Sequence, residues 1–258
     1  MRARIADLPP ISVPETLSVA PGIVDLWWWL YEPVEDAELW AAWEKLMSPE
    51  ERQRHGNFRF SRDRRLFVAT RALVRTTLSR YVPVPPADWR FVLGPTGKPR
   101  IGSPIVAPAI HFNLANTPGL VVCAVSVAHA ALGVDAEQVD PNADLFSVAE
   151  RYFSPLEAGE LRALPPCERP HRFAAYWTLK ESYIKARGLG LDLPLDKFYF
   201  LIGDDLVRIV FDSSTMSGDP ERWRFALLDL PSGHKIAVGV DTGGASLCLR
   251  ATQVLHAL

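Results

Sequence analysis

The chain carries one ordered set of structural signals twice, and that repeat constrains its fold more than any other feature. Ser48-Pro49-Glu50-Glu51 is a helix start: Ser48 caps the free amides, Pro49 takes the first helical position, and Glu51 can close a capping box. Ser154-Pro155-Leu156-Glu157 is the same device, 106 residues later. A second helical pattern follows each start. The first runs from Arg64 to Tyr81, with Leu66, Ala69, Leu73 and Leu78 on one side. The second runs from His171 to Arg187, with Phe173, Tyr176, Leu179, Tyr183 and Ile184. Then come two strand-like runs ending in glycine, Trp89 to Gly94 and Phe198 to Gly203, 109 apart. Arg100-Ile101 matches Arg208-Ile209, and Gly119 to Val125 matches Gly233 to Gly239, 114 apart. The order implies an α+β fold: two similar α+β lobes forming a pseudo-symmetric dimer within one chain, with a binding cleft between them.

The expected division is a loosely ordered segment over 1–22, an N-terminal lobe over 23–129 and a C-terminal lobe over 130–258. Val24 to Leu30, with Trp27-Trp28-Trp29, reads as a first strand. Leu39 to Met47 reads as a short helix with Trp40, Trp43 and Leu46 inward. Residues after Thr242 have weak patterning and are not placed. No apolar run approaches ~18 residues, so a membrane span is not expected. The first 21 residues hold four prolines and lack the apolar core of a secretory signal. Three cysteines, Cys123, Cys167 and Cys248, are far apart and make neither a disulfide framework nor a zinc pattern. That suits a reducing compartment, and the expected location is the cytoplasm. A net charge of −2 argues against a protein that coats nucleic acid.

Three segments carry chemistry. Gly133-Val134-Asp135-Ala136-Glu137 follows an apolar run and sits at a strand, so Asp135 and Glu137 share one face, ~6–7 Å apart along it. Two neighbouring carboxylates repel unless a cation lies between them, and Mg2+ is the natural candidate. Trp177-Thr178-Leu179-Lys180-Glu181-Ser182-Tyr183-Ile184-Lys185 is helical, and Trp177, Lys180, Glu181 and Lys185 fall within an arc of ~140°. Charges on an arc shared with Trp177 and Ile184 are costly unless paired or bound to a ligand. Arg52 to Arg80 holds nine arginines and one acid, Asp63. Arginine suits phosphate and carboxylate recognition, although a solvated helix face has the same composition. The six histidines show no metal spacing.

Together these segments, with Gly97-Lys98-Pro99 in a turn and Phe112-Asn113 before a strand, resemble the surfactin-type 4′-phosphopantetheinyl transferases. The resemblance covers about residues 45 to 205, and the two acid-bearing motifs at their mutual spacing are its most specific part. It implies a two-lobed α+β fold with the site between the lobes. It also implies Mg2+-dependent transfer of phosphopantetheine from coenzyme A to a serine of an apo carrier protein, acyl, polyketide or peptidyl, with release of adenosine 3′,5′-bisphosphate. By that likeness Asp135, Glu137 and Glu181 bind Mg2+. Glu181, or a metal-bound water, takes the serine proton, while Lys185 offsets charge on the leaving phosphate and Lys180 assists. Trp177 shapes the site. Gly97, Lys98 and Pro99 hold the adenine and 3′-phosphate side, with Arg65 the first choice among the arginines. A monomer suffices, because each lobe already has its counterpart.

One departure stands out. After Phe-Asn-x the family usually places Ser-His, with the histidine on the 3′-phosphate; here those positions are Ala115 and Asn116. Asparagine can hydrogen-bond but carries no charge. The change keeps alive a rival reading, a non-catalytic protein that binds a carrier or coenzyme A. Three acids and Lys185 argue against that rival, and a nucleic-acid binder built on the arginine cluster lacks interleaved aromatics. The expectation is an active enzyme with a looser grip on its donor, by about 1.5–3 kcal/mol. Asn116→His should therefore tighten coenzyme A binding in a calorimetric titration; an unchanged affinity would refute this reading of position 116.

Overall fold

The computed structural model describes residues 17, 20, 22–142, 145–190, 193–204 and 206–254. The expectation for 1–22 falls almost wholly outside them. The chain divides into two units at Ala130 and Ala131, and Cys248 onward rejoins the first.

The N-terminal unit opens with β1 (Ile23–Leu30), followed by α1 (Ala37–Lys45), α2 (Pro49–Gly56) and α3 (Ser61–Leu78). Strands β2 (Arg90–Leu93), β3 (Pro99–Ser103), β4 (His111–Thr117) and β5 (Leu120–Ser126) complete it. The C-terminal unit runs β6 (Leu132–Gln138), α4 (Leu145–Tyr152), α5 (Pro155–Ala163) and α6 (Arg169–Arg187). Then come β7 (Phe198–Ile202), β8 (Val207–Phe211), β9 (Trp223–Asp229) and β10 (His234–Asp241). Strand pairing repeats as well as order. β1 pairs antiparallel with β5, and β5 with β4; β6 pairs antiparallel with β10, and β10 with β9. β2–β3 and β7–β8 are separate hairpins. Each unit is thus an α+β lobe. No described helix is long and apolar enough to cross a membrane.

Local chemistry accounts for the starts of α1, α2 and α5. Both capping boxes form: Ser48 Oγ accepts the Glu51 amide, Ser154 Oγ accepts the Glu157 amide, and each glutamate reaches back to its serine's amide. α1 starts two residues before the expected Leu39 because the Asp36 carboxylate accepts the amides of Glu38 and Leu39. Each capping glutamate also anchors a buried cation from the next helix. Glu51 Oε2 lies 2.5 Å from Arg75 and Glu157 Oε2 2.8 Å from Lys180.

The last strand corrects the expected boundary. β11 (Cys248–Gln253) pairs in parallel with β1, from Ile23 opposite Cys248 to Trp28 opposite Gln253. It therefore belongs to the N-terminal sheet, not to the lobe expected over 130–258. A partly buried network holds the pairing. Asp25 accepts Arg250 Nε at 2.5 Å and Nη2 at 2.7 Å, and the Tyr81 hydroxyl at 2.9 Å. The Trp27 indole donates in turn to Tyr81 at 2.7 Å. Asp25→Ala would remove the carboxylate that accepts the Tyr81 hydroxyl and two guanidinium N–H groups of Arg250. It is expected to cost about 2–3 kcal/mol in urea denaturation and to speed amide exchange along Cys248–Gln253. Unchanged exchange in that strand would mean the network does not hold it.

Candidate active site

The C-terminal unit builds a group of charged side chains where α6 crosses β6. The approach is unusually close because position 133 is glycine. A Cβ there would stand 2.0 Å from the Ser182 carbonyl oxygen and 2.4 Å from the Ala186 amide. Gly239, next to Gly133 across the ladder, plays the same part: a Cβ would meet the Phe225 ring at 2.7 Å and Ser182 Oγ at 3.2 Å. Small residues at 182 and 186 on the helix answer the glycines on the strands. With backbones this close, short carboxylates on one element reach side chains on the other.

Asp135 and Glu137 share with Gly133 the face of β6 that meets α6, alternating with Val134 and Ala136, which are buried on the other face. Trp177, Glu181 and Lys185 recur at i, i+4 and i+8 along one face of α6. Lys185 Nζ lies 2.6 Å from Asp135 Oδ1, while Asp135 Oδ2 is buried and has no hydrogen-bond partner. Asp135 is 6% exposed, and burial raises its pKa against the pull of Lys185. Burial, then the charge of Asp135, then that of Glu181 push Glu137 up to about 7, while Lys185 and an indole hydrogen bond from Trp177 pull the other way. Glu181 is raised by burial and by Asp135. The acids are therefore mutually repelling and incompletely neutralised. Trp177 is braced by a stacked Phe173 at 6.1 Å and an edge-on Tyr152 at 6.2 Å.

Among the described residues no three His, Cys, Asp or Glu side chains are gathered closely enough to hold an ion. The donor set nonetheless fits a hard divalent cation in its chemistry. It offers carboxylate oxygens, one of them buried and unpartnered, and the ammonium that touches Asp135 leaves the group net negative.

Lys180 is a correction. Expected on the same arc, it points into the core instead, 0% exposed. Its ammonium meets Glu157, the Leu195 carbonyl at 2.8 Å and the Phe198 carbonyl at 2.7 Å, and lies 4.4 Å from the Phe198 ring centroid. With these donors engaged, it is a structural cation and not a catalytic one. The helical arc set its angle correctly, but the arc's edge faces the neighbouring helix and hairpin.

The remaining site residues expected from the sequence lie in the N-terminal unit. Gly97 makes the β2–β3 turn with a positive φ of 81°, and Pro99 begins β3. Lys98 is half-buried, and burial pushes its ammonium down to about 8. Its charge, with that of His129, lowers the pKa of His111, which burial lowers first. Asn116 lies on β4, five residues from His111; it is exposed and its amide donates to Thr70 Oγ1 at 3.4 Å. Arg65 is exposed, stacked 4.9 Å above Trp40. The arginine cluster itself is divided. Arg75 is buried on Glu51, Pro86 and Trp89, and Arg71 pairs with Glu51 at 3.5 Å, so neither is available to a ligand.

Two features escaped the sequence reading. One is the close helix–strand approach, for which a glycine inside an apolar strand was the available signal. The other is Lys235, in register with Glu137 on β10, buried and paired with Asp229. It also helps line a cavity of about 290 Å3 under the first turns of α6, together with Leu164, Cys167, His171, Arg172 and Leu227; Asp135, Glu137 and Glu181 do not line that cavity.

Residues 131–239 match the 4′-phosphopantetheinyl transferase superfamily, and residues 31–128 match the 4′-phosphopantetheinyl transferase N-terminal family. A 4′-phosphopantetheinyl transferase of Nostoc, HetI, is 37% identical over 145 residues, 56% of this chain and 61% of the relative. The 4′-phosphopantetheinyl transferase Sfp of Bacillus subtilis is 33% identical over 159 residues, 62% of this chain and 68% of Sfp. A Xenopus laevis L-aminoadipate-semialdehyde dehydrogenase-phosphopantetheinyl transferase is 29% identical over 216 residues, 78% of this chain and 70% of its own length. The matched part thus spans about three fifths of the Nostoc relative and about two thirds of Sfp. The chain belongs to the 4′-phosphopantetheinyl transferase superfamily and, within it, to the surfactin-type enzymes.

The buried helix lysine and the neighbouring helix acid should separate on substitution. Lys180→Met, which strands a buried Glu157, is expected to cost about 3–5 kcal/mol in urea denaturation. Glu181→Gln, at a half-buried position beside other acids, should change stability by no more than about 1 kcal/mol. Equal losses would contradict the structural assignment of Lys180.

Proposed function

We propose that this chain transfers the 4′-phosphopantetheine arm of coenzyme A to a serine of an apo carrier protein, releasing adenosine 3′,5′-bisphosphate. Family membership supports the reaction class. The observation that carries the proposal for this chain is Asp135, with one oxygen on Lys185 and the other buried without a partner, beside two further acids.

Asp135, Glu137 and Glu181 would hold Mg2+, which when bound supplies counter-charge for a pyrophosphate. The protein's own groups do the rest. Glu181 would accept the proton of the carrier's serine hydroxyl. Lys185 would lie against the phosphate that leaves with the adenosine half, offsetting the charge that grows there. Trp177 would position Glu137 through its indole N–H, without touching the reacting atoms. On the donor side, Gly97, Lys98 and Pro99 would meet the adenine and 3′-phosphate, with Arg65 and Asn116 as further contacts. Lys98 is suited to phosphate, because its ammonium is partly desolvated and an anion would restore the charge that burial disfavours. The carrier would be an acyl, polyketide or peptidyl carrier protein, the enzyme a monomer, and its compartment the cytoplasm.

The uncharged Asn116 favours a second reading, a non-catalytic protein that binds coenzyme A or a carrier. Intact-mass spectrometry separates the two. The protein is mixed with coenzyme A, Mg2+ and a panel of apo carriers. A carrier gaining one phosphopantetheine is the expected result, and no gain on any carrier would overturn the transferase reading. Asp135→Ala and Glu181→Ala are each expected to abolish the gain. His171→Ala, in the cavity wall under the start of α6, is expected to keep it.

A further inference from the structure

The pairing of Lys185 with Asp135 bears on how the proposed metal site fills. Asp135 is fixed in the middle of β6, paired through the ladder to Ala237, and cannot move to meet a ligand. One of its carboxylate oxygens already holds a cation, Lys185 Nζ at 2.6 Å. That lysine is the mobile partner: its side chain is 31% exposed, against 9% for Asp135, and it hangs from a four-carbon stem near the end of α6. A divalent ion drawn to the unpartnered Oδ2 meets an ammonium on the other oxygen of the same carboxylate, and the two cations repel.

We infer that Lys185 is the resident counter-ion of Asp135 and is exchanged for the divalent ion, so that metal entry frees the ammonium for the donor's phosphate. The inference rests on the metal reading of Asp135, Glu137 and Glu181, and deepens it. Metal and donor then bind in a coupled way. The ion displaces a lysine that, once released, has a nearby anion to find, and the donor's phosphate draws the lysine off the ion's ligand. By linkage each would strengthen the other's binding. The lysine has two successive jobs: it keeps a buried carboxylate neutralised while no ion is bound, and it binds phosphate afterwards.

The test uses the full chain without coenzyme A, and follows Mn2+ binding by calorimetry in wild type, Lys185→Met and Asp135→Asn. Removing the competing ammonium should tighten Mn2+ about fivefold to tenfold in Lys185→Met, and Asp135→Asn should weaken it below detection. Lys185→Gln guards against a folding defect in the first variant and should behave alike. In parallel, the side-chain ammonium resonance of Lys185, assigned by its loss in Lys185→Met, should shift on titration with diamagnetic Mg2+ as the ion pair breaks. Mn2+ binding that is unchanged or weaker without Lys185, or an ammonium resonance indifferent to saturating Mg2+, would overturn the exchange while leaving the metal site standing. Mn2+ binding to none of the forms would remove the metal reading and the exchange together.

Discussion

The backbone contact between α6 and β6 is the constraint on which the candidate site depends. Side chains as short as aspartate and glutamate meet only if their elements lie unusually close, and here that proximity is set by a missing Cβ at Gly133. Ser182 and Ala186 face the gap from the helix, and Gly239 extends it to the next strand. Everything polar at the site follows from this apolar geometry. Trp177, Glu181 and Lys185 line one flank of the helix, Asp135 and Glu137 line the strand, and each set supplies what the other lacks. An alanine at 133 would push the helix outward by more than a hydrogen bond can stretch.

That proximity has an electrostatic cost. Burial disfavours the charged form of all three acids, and they also repel one another. One ammonium offsets part of this, which leaves Asp135 Oδ2 buried and unpartnered. The other buried charges described in this unit, Glu157, Lys180 and Lys235, are paired, so the under-neutralised acids are the feature on which the proposed binding role rests. Lys180 is the instructive contrast. One residue from Glu181, it is wholly buried, yet it is matched by Glu157, two carbonyls and an aromatic ring. It holds the second helix to the capping box of the first, as Arg75 does with Glu51 in the other unit.

The repeat therefore extends below the level of the fold. Each unit starts a helix with Ser-Pro-x-Glu and uses the same glutamate twice, once on the helix start and once on a buried cation from the next helix. The cation has drifted: arginine in one unit, lysine in the other, at positions that do not coincide under the repeat offset. The units have also diverged in chemistry. Where the C-terminal unit carries Asp135 and Glu137 on its first strand, the N-terminal unit carries Asp25, which is tied up by Arg250 and Tyr81.

The sequence by itself determined what is local or periodic. Caps and helix starts follow from Ser48, Ser154 and the residues just after them. Strand alternation puts Asp135 and Glu137 on one face, and helical spacing puts Trp177, Glu181 and Lys185 on another. The duplication of these signals made the two-lobed α+β plan legible before any coordinates. Tertiary structure alone decided what depends on partners distant in the chain. A helical arc specifies direction but not neighbours, so Lys180 and Lys185 looked alike until Glu157 and Asp135 were set against them. The arginine cluster looked uniform until Arg71 and Arg75 turned inward to Glu51. The tail after Thr242 has too little periodicity to announce a strand, and it becomes one because β1 offers a free edge, with Asp25 waiting for Arg250 across a separation of 225 residues.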